Sequence, residues 1–95
     1  MRIAFSKVAE ADAIIAARRL KDVYGNDLGR FRFQEMMIAI DALTRPPATD
    51  LAFGQDEFGL PIFAKDMGMH RVVYQRYQTH IWILGVQLIE DGQDQ

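Results

Sequence analysis

From His80 to Leu88 the chain is apolar at almost every position, with Trp82, Leu84 and Val86 alternating against Ile81, Ile83 and Gly85. Successive side chains of a strand go to opposite faces, so both faces of this strand are apolar. Such a strand belongs at the centre of a sheet, with cover. The rest of the chain must therefore supply flanking strands and the elements that lie over them. It has 95 residues in which to do so, which is one domain, 1–95, with a modest core.

The flanking strands are legible. Met69 to Tyr77 alternates, with His70, Val72, Tyr74 and Arg76 on one side and Arg71, Val73, Gln75 and Tyr77 on the other. Gln78-Thr79 connects it tightly to the apolar strand. Gly68 marks a turn before it, and Pro61 leads into a strand over about Ile62 to Met67. Together, 61–88 reads as a three-stranded antiparallel meander. At the other end, Arg2 to Phe5 alternates with Ile3 and Phe5 on one face, which makes residues 1–5 a short first strand. Ala48 to Leu60 shows no period, and Gly54, Gly59 and Asp56-Glu57 read as loop.

The cover comes from residues 6–45. Ser6 is placed to cap a helix, and Glu10 and Asp12 in its early turns suit the positive end of the dipole. Lys7 to about Tyr24 is rich in helix formers, with Val8, Ala11 and Ile15 sharing an apolar face that Ile14 flanks. Gly25 is expected to end this helix in the left-handed conformation, and Asn26 or Asp27 to cap the next. The second helix runs from about Leu28 to Thr44. Its apolar face is broad: Phe33, Met36, Met37, Ile40 and Leu43, widened by Phe31, Ile38 and Ala42. A helix apolar over so much of its circumference needs cover on two sides, from the sheet and from the first helix or a partner chain. Pro46-Pro47 ends it. The fold class is α+β, in the order β-α-α-β-β-β.

Composition narrows the function classes. There is no cysteine, which removes disulfide frameworks and thiolate metal sites and fits a reducing compartment. The N-terminus has no signal-peptide pattern, and Ile81 to Val86 is too short to span a bilayer; the expected location is the cytoplasm, with no membrane association. The formal charge is −2 with a pI near 5.6, and the tail, 89–95, is acidic through Glu90, Asp91 and Asp94. Binding to nucleic acid phosphates would need a local basic patch.

The segment His70-Arg71-Val72-Val73-Tyr74 is the most informative for chemistry. Arg71 is suited to a bidentate phosphate contact, and His70 or Tyr74 to proton transfer. Alternation, however, sends His70 and Arg71 to opposite faces, and the plainer reading is a half-buried strand. Lys65 lies across the hairpin from this segment, where two cations on one face would attract an anion; Asp66 is placed to neutralise either. His80 starts a strand without a partner in sequence and reads as solvated. Two isolated histidines and scattered carboxylates give no metal-site spacing, the glycines form no phosphate loop, and Ser6 reads as a cap. Arg18, Arg19, Lys21, Arg30 and Arg32 surround the hairpin tip but are interleaved with Asp22, Asp27 and Glu35, giving a mixed surface. Met36 and Met37 are core types also used where a partner helix docks. No cofactor is implied.

A strand, a helical hairpin and an antiparallel meander in under a hundred residues resembles the RelE/ParE toxin superfamily. Met69-His70-Arg71-Val72-Val73-Tyr74 followed by Ile81-Trp82-Ile83-Leu84-Gly85-Val86 carries the likeness. The first of these is similar to the YoeB branch, while the long first helix, the turn at Gly25 and the closure at Pro46-Pro47 resemble the ParE branch. The RelE and YoeB branches cut mRNA on the ribosome; there the resemblance implies Arg71 as the phosphate-stabilising arginine and Lys65 near the residue that activates the 2′-hydroxyl, and a ribonuclease built on this chain would have to improvise its base from His70 or His80. The ParE branch instead poisons DNA gyrase. In all branches an antitoxin wraps the toxin.

The RNase branches carry an aromatic, histidine or basic residue after the last strand. Here that stretch reads Gln87-Leu88-Ile89-Glu90-Asp91-Gly92. General acid–base help worth about 10²–10⁴-fold is therefore missing. The expected function is a toxin of a type II toxin–antitoxin module that binds its target, gyrase ahead of ribosome-bound mRNA, with a non-toxic binding module as a further alternative. The expected partner surface is Phe33, Met36, Met37, Ile40, Tyr74 and Trp82, for a cognate antitoxin or for assembly as a homodimer or hetero-oligomer.

Overall fold

The turn from strand to helix at Ser6 organises one end of the molecule. The Ser6 hydroxyl accepts from the Ala9 N–H at 3.0 Å, capping the helix, and donates to the Leu84 carbonyl at 3.2 Å. A computed structural model describes residues 1–45 and 52–89. Strand β1 (Arg2–Phe5) leads into α1 (Lys7–Tyr24) and α2 (Asn26–Asp41), which ends in a 3₁₀ turn at Ala42–Thr44. Strands β2 (Ala52–Gln55), β3 (Pro61–Met67), β4 (His70–Arg76) and β5 (His80–Leu88) follow. They form one sheet in the order β1-β5-β4-β3-β2, in which β1 runs parallel to β5 and the other pairs are antiparallel. The apolar strand β5 therefore sits inside the sheet, as its composition requires.

The two helices lie against one face of the sheet, with α1 across β5 and β1 and α2 beside α1. Between the layers Met36, Ile40 and Leu43 meet Val72, Tyr74, Ile81 and Ile83 in one core cluster, all 4% exposed or less. No helix among the described residues is long and apolar enough to cross a membrane.

Four local expectations are corrected. Ala52–Gln55, read as loop, is an edge strand; it pairs with β3 through a shifted register and exposes all four residues, so no burial imposes a period on it. The inward face of α1 is not Val8, Ala11 and Ile15 but Ala9, Ala16 and Leu20, and Val8 is 64% exposed. Small residues face inward because the layers come close. At Gly25 the backbone has φ +87° and ψ 173°, an extended mirror conformation rather than the left-handed helical one, and α2 starts at Asn26 with no side-chain cap. This region is open to glycine and costly for other residues.

The fourth correction concerns β5. Val73 pairs with Gly85 and Tyr74 with Ile83, so Leu84 is an extra residue. The bulge shifts the alternation, and Val86 joins Ile81 and Ile83 in the core instead of opposing them. The amide and carbonyl groups around it are taken up by the first two turns of α1. Ile83 O accepts from the Ser6 N–H, Leu84 O from the Ser6 hydroxyl, and the Val86 N–H donates to the Asp12 carboxylate at 3.0 Å. The expected helix terminator Pro46-Pro47 and the acidic residues Glu90, Asp91 and Asp94 lie outside the described residues.

Candidate functional site

The face of the sheet away from the helices carries the candidate chemistry. The turn at Gly68, with φ +63°, closes β3 onto β4 so that Met67 stands opposite His70 and Asp66 opposite Arg71. His70 and Met67 enter the core on the helix side. Asp66 and Arg71 therefore emerge together on the other side. The Arg71 guanidinium donates to both carboxylate oxygens of Asp66, from Nε at 2.7 Å and from Nη2 at 3.2 Å. This fork holds the Asp66 carboxyl below the usual carboxylate range and raises the arginine further. Both partners are about half exposed, so the pair fixes geometry more than it adds stability.

Beside the pair is a hollow of about 580 Å³, bordered by Phe53 from β2, Ala64 and Lys65 from β3, Val73 from β4 and Gln87 from β5. Toward the other end of the same face lies a polar and aromatic network. Gln75, buried and paired with Trp82, donates to Asp56 at 2.9 Å and accepts from the Tyr77 hydroxyl at 3.1 Å. Tyr77 stacks on His80 with centroids 5.0 Å apart, and His80 meets Trp82 edge-on at 6.3 Å. Asp56 also accepts from the Phe58 and Leu60 amides, which ties the β2–β3 loop to β4. The Gln75 hydrogen bond first, then the Leu60 amide, lower its pKa.

The three residues proposed for RNA cleavage are not gathered at one place. Arg71 is on the open face, bound to Asp66. His70 is 1% exposed on the helix side. Its Nε2 lies 3.0 Å from Arg19 Nη1; arginine can only donate, so Nε2 accepts, the ring is neutral and the proton is on Nδ1. Burial first, and the Arg19 charge second, push its pKa down. Lys65 stands opposite Val72, which the pleat assigns to the helix side, and borders hollows on both sides of the sheet rim.

Of the expected partner residues, Met36, Ile40 and Tyr74 are 4%, 1% and 0% exposed. They belong to the chain's own core and offer no surface to a partner in this conformation. Tyr74 stacks on Phe63 with centroids 5.5 Å apart, and Arg76 lies over its ring. Phe33, Met37 and Trp82 are partly exposed. The large apolar residues that do reach solvent are others, among them Ile14, Ile15, Phe31, Ile38, Phe53 and Phe58. Arg19 as the partner of His70, and Phe53 as a wall of the hollow, were not found in the sequence. The Asp66–Arg71 fork was within reach, because a two-residue turn at 68–69 sets residue 66 against 71. No group of acidic, histidine or cysteine residues suited to a metal occurs among the described residues.

No protein-family model matches the chain, and no curated protein matches it in sequence. Solved structures do match. One, described as the chromosomal ParDE TA system from P. aeruginosa, superposes with a TM-score of 0.72 over 95% of this chain and 97% of that one, at 13% identity. The chain has the RelE/ParE fold. The YoeB dimer from Staphylococcus aureus superposes with a TM-score of 0.61 over 94% of this chain and 97% of that one, at 18% identity. The RelE/ParE fold expected from the two short motifs thus holds over nearly the whole chain. In it the His70–Tyr74 motif lies in the central strand of the sheet, and the Ile81–Val86 motif carries the bulge that α1 plugs.

Proposed function

We propose that this chain is the toxin of a bacterial type II toxin–antitoxin module, that it acts by binding its target rather than by cutting RNA, and that the target is DNA gyrase. A cognate antitoxin neutralises it in the cytoplasm. The observation that carries the choice between the two chemistries is the Asp66–Arg71 fork: the one arginine suited to a scissile phosphate already has its Nε and one terminal nitrogen on a carboxylate. A phosphate would have to displace that carboxylate or approach against its charge. His70 is turned inward and accepts from Arg19, and no acid–base side chain stands in Gln87-Leu88-Ile89. The RelE/ParE fold supports the toxin class, and the residues after β5 favour the gyrase branch.

Purified chain titrated into a supercoiling reaction with purified gyrase is the test. Inhibition that saturates with concentration is expected; full supercoiling at every concentration would remove gyrase as target. The RNase reading is kept by one observation, the hollow beside Arg71 on the exposed sheet face. It has a sharp test in Asp66→Ala, which frees the guanidinium at an exposed position and so leaves the fold intact. The variant is expected to cut ribosome-bound mRNA no better than the parent, that is, not detectably. Cleavage that appears or rises tenfold in Asp66→Ala would return the assignment to the RNase branch.

A further inference from the structure

We infer that His70 and Arg19 form an acid-released latch that holds the Gly25 end of the helical hairpin against the sheet. The hairpin has polar ties to the sheet at two ends. At one end are the Ser6–Leu84 and Asp12–Val86 contacts of α1 and the bond from Arg76 Nη1 to the Leu43 carbonyl at the close of α2. At the other end is the contact between Arg19, in the second half of α1, and His70 at the start of β4, 3.0 Å long and spanning 51 positions of sequence. Protonation acts on that second tie alone. A neutral imidazole accepts from the guanidinium; an imidazolium has no lone pair to offer and sets a second positive charge against the first.

The surroundings give the protonated ring no compensation. His70 borders a cleft of about 390 Å³ between the helices and the β3–β4 turn. From α2 that cleft receives Arg32 and Glu35, which bind each other at 3.0 Å, and from β3 it receives Lys65 and Asp66, the latter held by Arg71. From β5 the residue opposite His70 is Leu88. Both carboxylates that line the cleft, Glu35 and Asp66, are thus already engaged by arginines, while the Arg19 charge opposes an imidazolium. From α1 the cleft also receives Tyr24, a neutral phenol, and the rest of the lining, with Leu20, Met36 and Met67, is apolar. Release of the latch lets the second half of α1 swing out about its pinned first turns and widens this cleft.

The sign follows from the neutral form being the folded one. In the unfolded chain His70 takes up its proton near pH 6.5, and in the folded chain it does so lower. Stability is full above about pH 6.5 and declines as the pH falls from there to the folded-state midpoint, the unfolding equilibrium moving about tenfold per pH unit. The chain has two histidines, so His80→Gln leaves His70 as the sole imidazole.

The test uses the full chain carrying His80→Gln, followed by NMR of the His70 ring and by amide exchange between pH 7.5 and 5.5, corrected for intrinsic rates. A ring protonated on Nδ1 at high pH, a midpoint below 6.5, and protection lost first in residues 17–24 while β5 stays protected are expected. Adding His70→Gln, which can still accept from Arg19 but does not titrate, should flatten the dependence. If that variant does not fold, Arg19→Met serves: the His70 midpoint should rise. A midpoint at or above 6.5, equal loss of protection in α1 and β5, an undiminished pH dependence in His70→Gln, or an unmoved midpoint in Arg19→Met would each overturn the latch.

Discussion

Gly29→Ala is expected to destabilise the protein by about 2–3 kcal/mol, although alanine is the better helix former by about 1 kcal/mol. Gly29 is buried in the first turn of α2, and its amide donates to the Gly25 carbonyl at 2.8 Å. A Cβ there would sit 2.6 Å from Lys21 Cα and 2.7 Å from the Leu20 carbonyl oxygen. Both are backbone atoms of α1, so no side chain can rotate away, and the helices must separate. Separation also loosens Leu20 and Met36, which both line this end of the cleft. For a domain of this size the melting temperature should fall by about 10–20 °C, read by circular dichroism. A fall below 3 °C would mean that the hairpin absorbs a methyl group and that its close approach is not a determinant of the fold.

Tyr74→Ala should have the larger effect, about 3–5 kcal/mol, and it should appear with no partner present. Tyr74 is fully buried, stacked on Phe63 and covered by the Arg76 guanidinium. Removing the ring leaves a cavity at the centre of the helix–sheet interface and takes a support from Arg76, which itself reaches to the Leu43 carbonyl at the end of the helical layer. Urea unfolding of the isolated chain measures the loss. A variant as stable as the parent, but unable to hold a partner, would instead give Tyr74 the interface role that its sequence context suggested.

What the sequence made legible, and what it did not, follow from the range of each interaction. The strands β3, β4 and β5 and both helices were visible because each has its own period or its own stop signals, as at Gly25 and Gly68. The order of these elements with two short motifs was enough to point to the RelE/ParE fold. Strand β2 was invisible: Ala52-Phe53-Gly54-Gln55 is exposed on an edge, where nothing selects for alternation. The parity of β5 was misjudged because a bulge at Leu84 is stabilised by Ser6 and Asp12, more than seventy residues away. Bulk is a poor guide to the inward face of α1, because the tight packing against α2 and β5 admits alanine and leaves Val8 and Ile15 exposed.

The candidate site divides in the same way. Asp66 and Arg71 were foreseeable as neighbours, since a hairpin turn fixes their register. That Arg19 would reach His70 could not be foreseen from spacing, and this contact is what turns a motif histidine into a buried, neutral residue. Likewise the network of Asp56, Gln75, Tyr77, His80 and Trp82 joins a loop, two strands and a turn, and only the folded sheet brings them together.

The most direct measurement is growth after induction of the chain in a bacterial host, with Arg71→Ala induced in parallel and soluble protein confirmed for both. If the chain is a toxin that works by binding, the parent arrests growth, Arg71→Ala arrests it to the same extent, and co-expression of the cognate antitoxin relieves both. Arrest by the parent that Arg71→Ala abolishes would contradict the binding mechanism and place a phosphate on Arg71. Undisturbed growth with the folded parent present would contradict the toxin assignment itself.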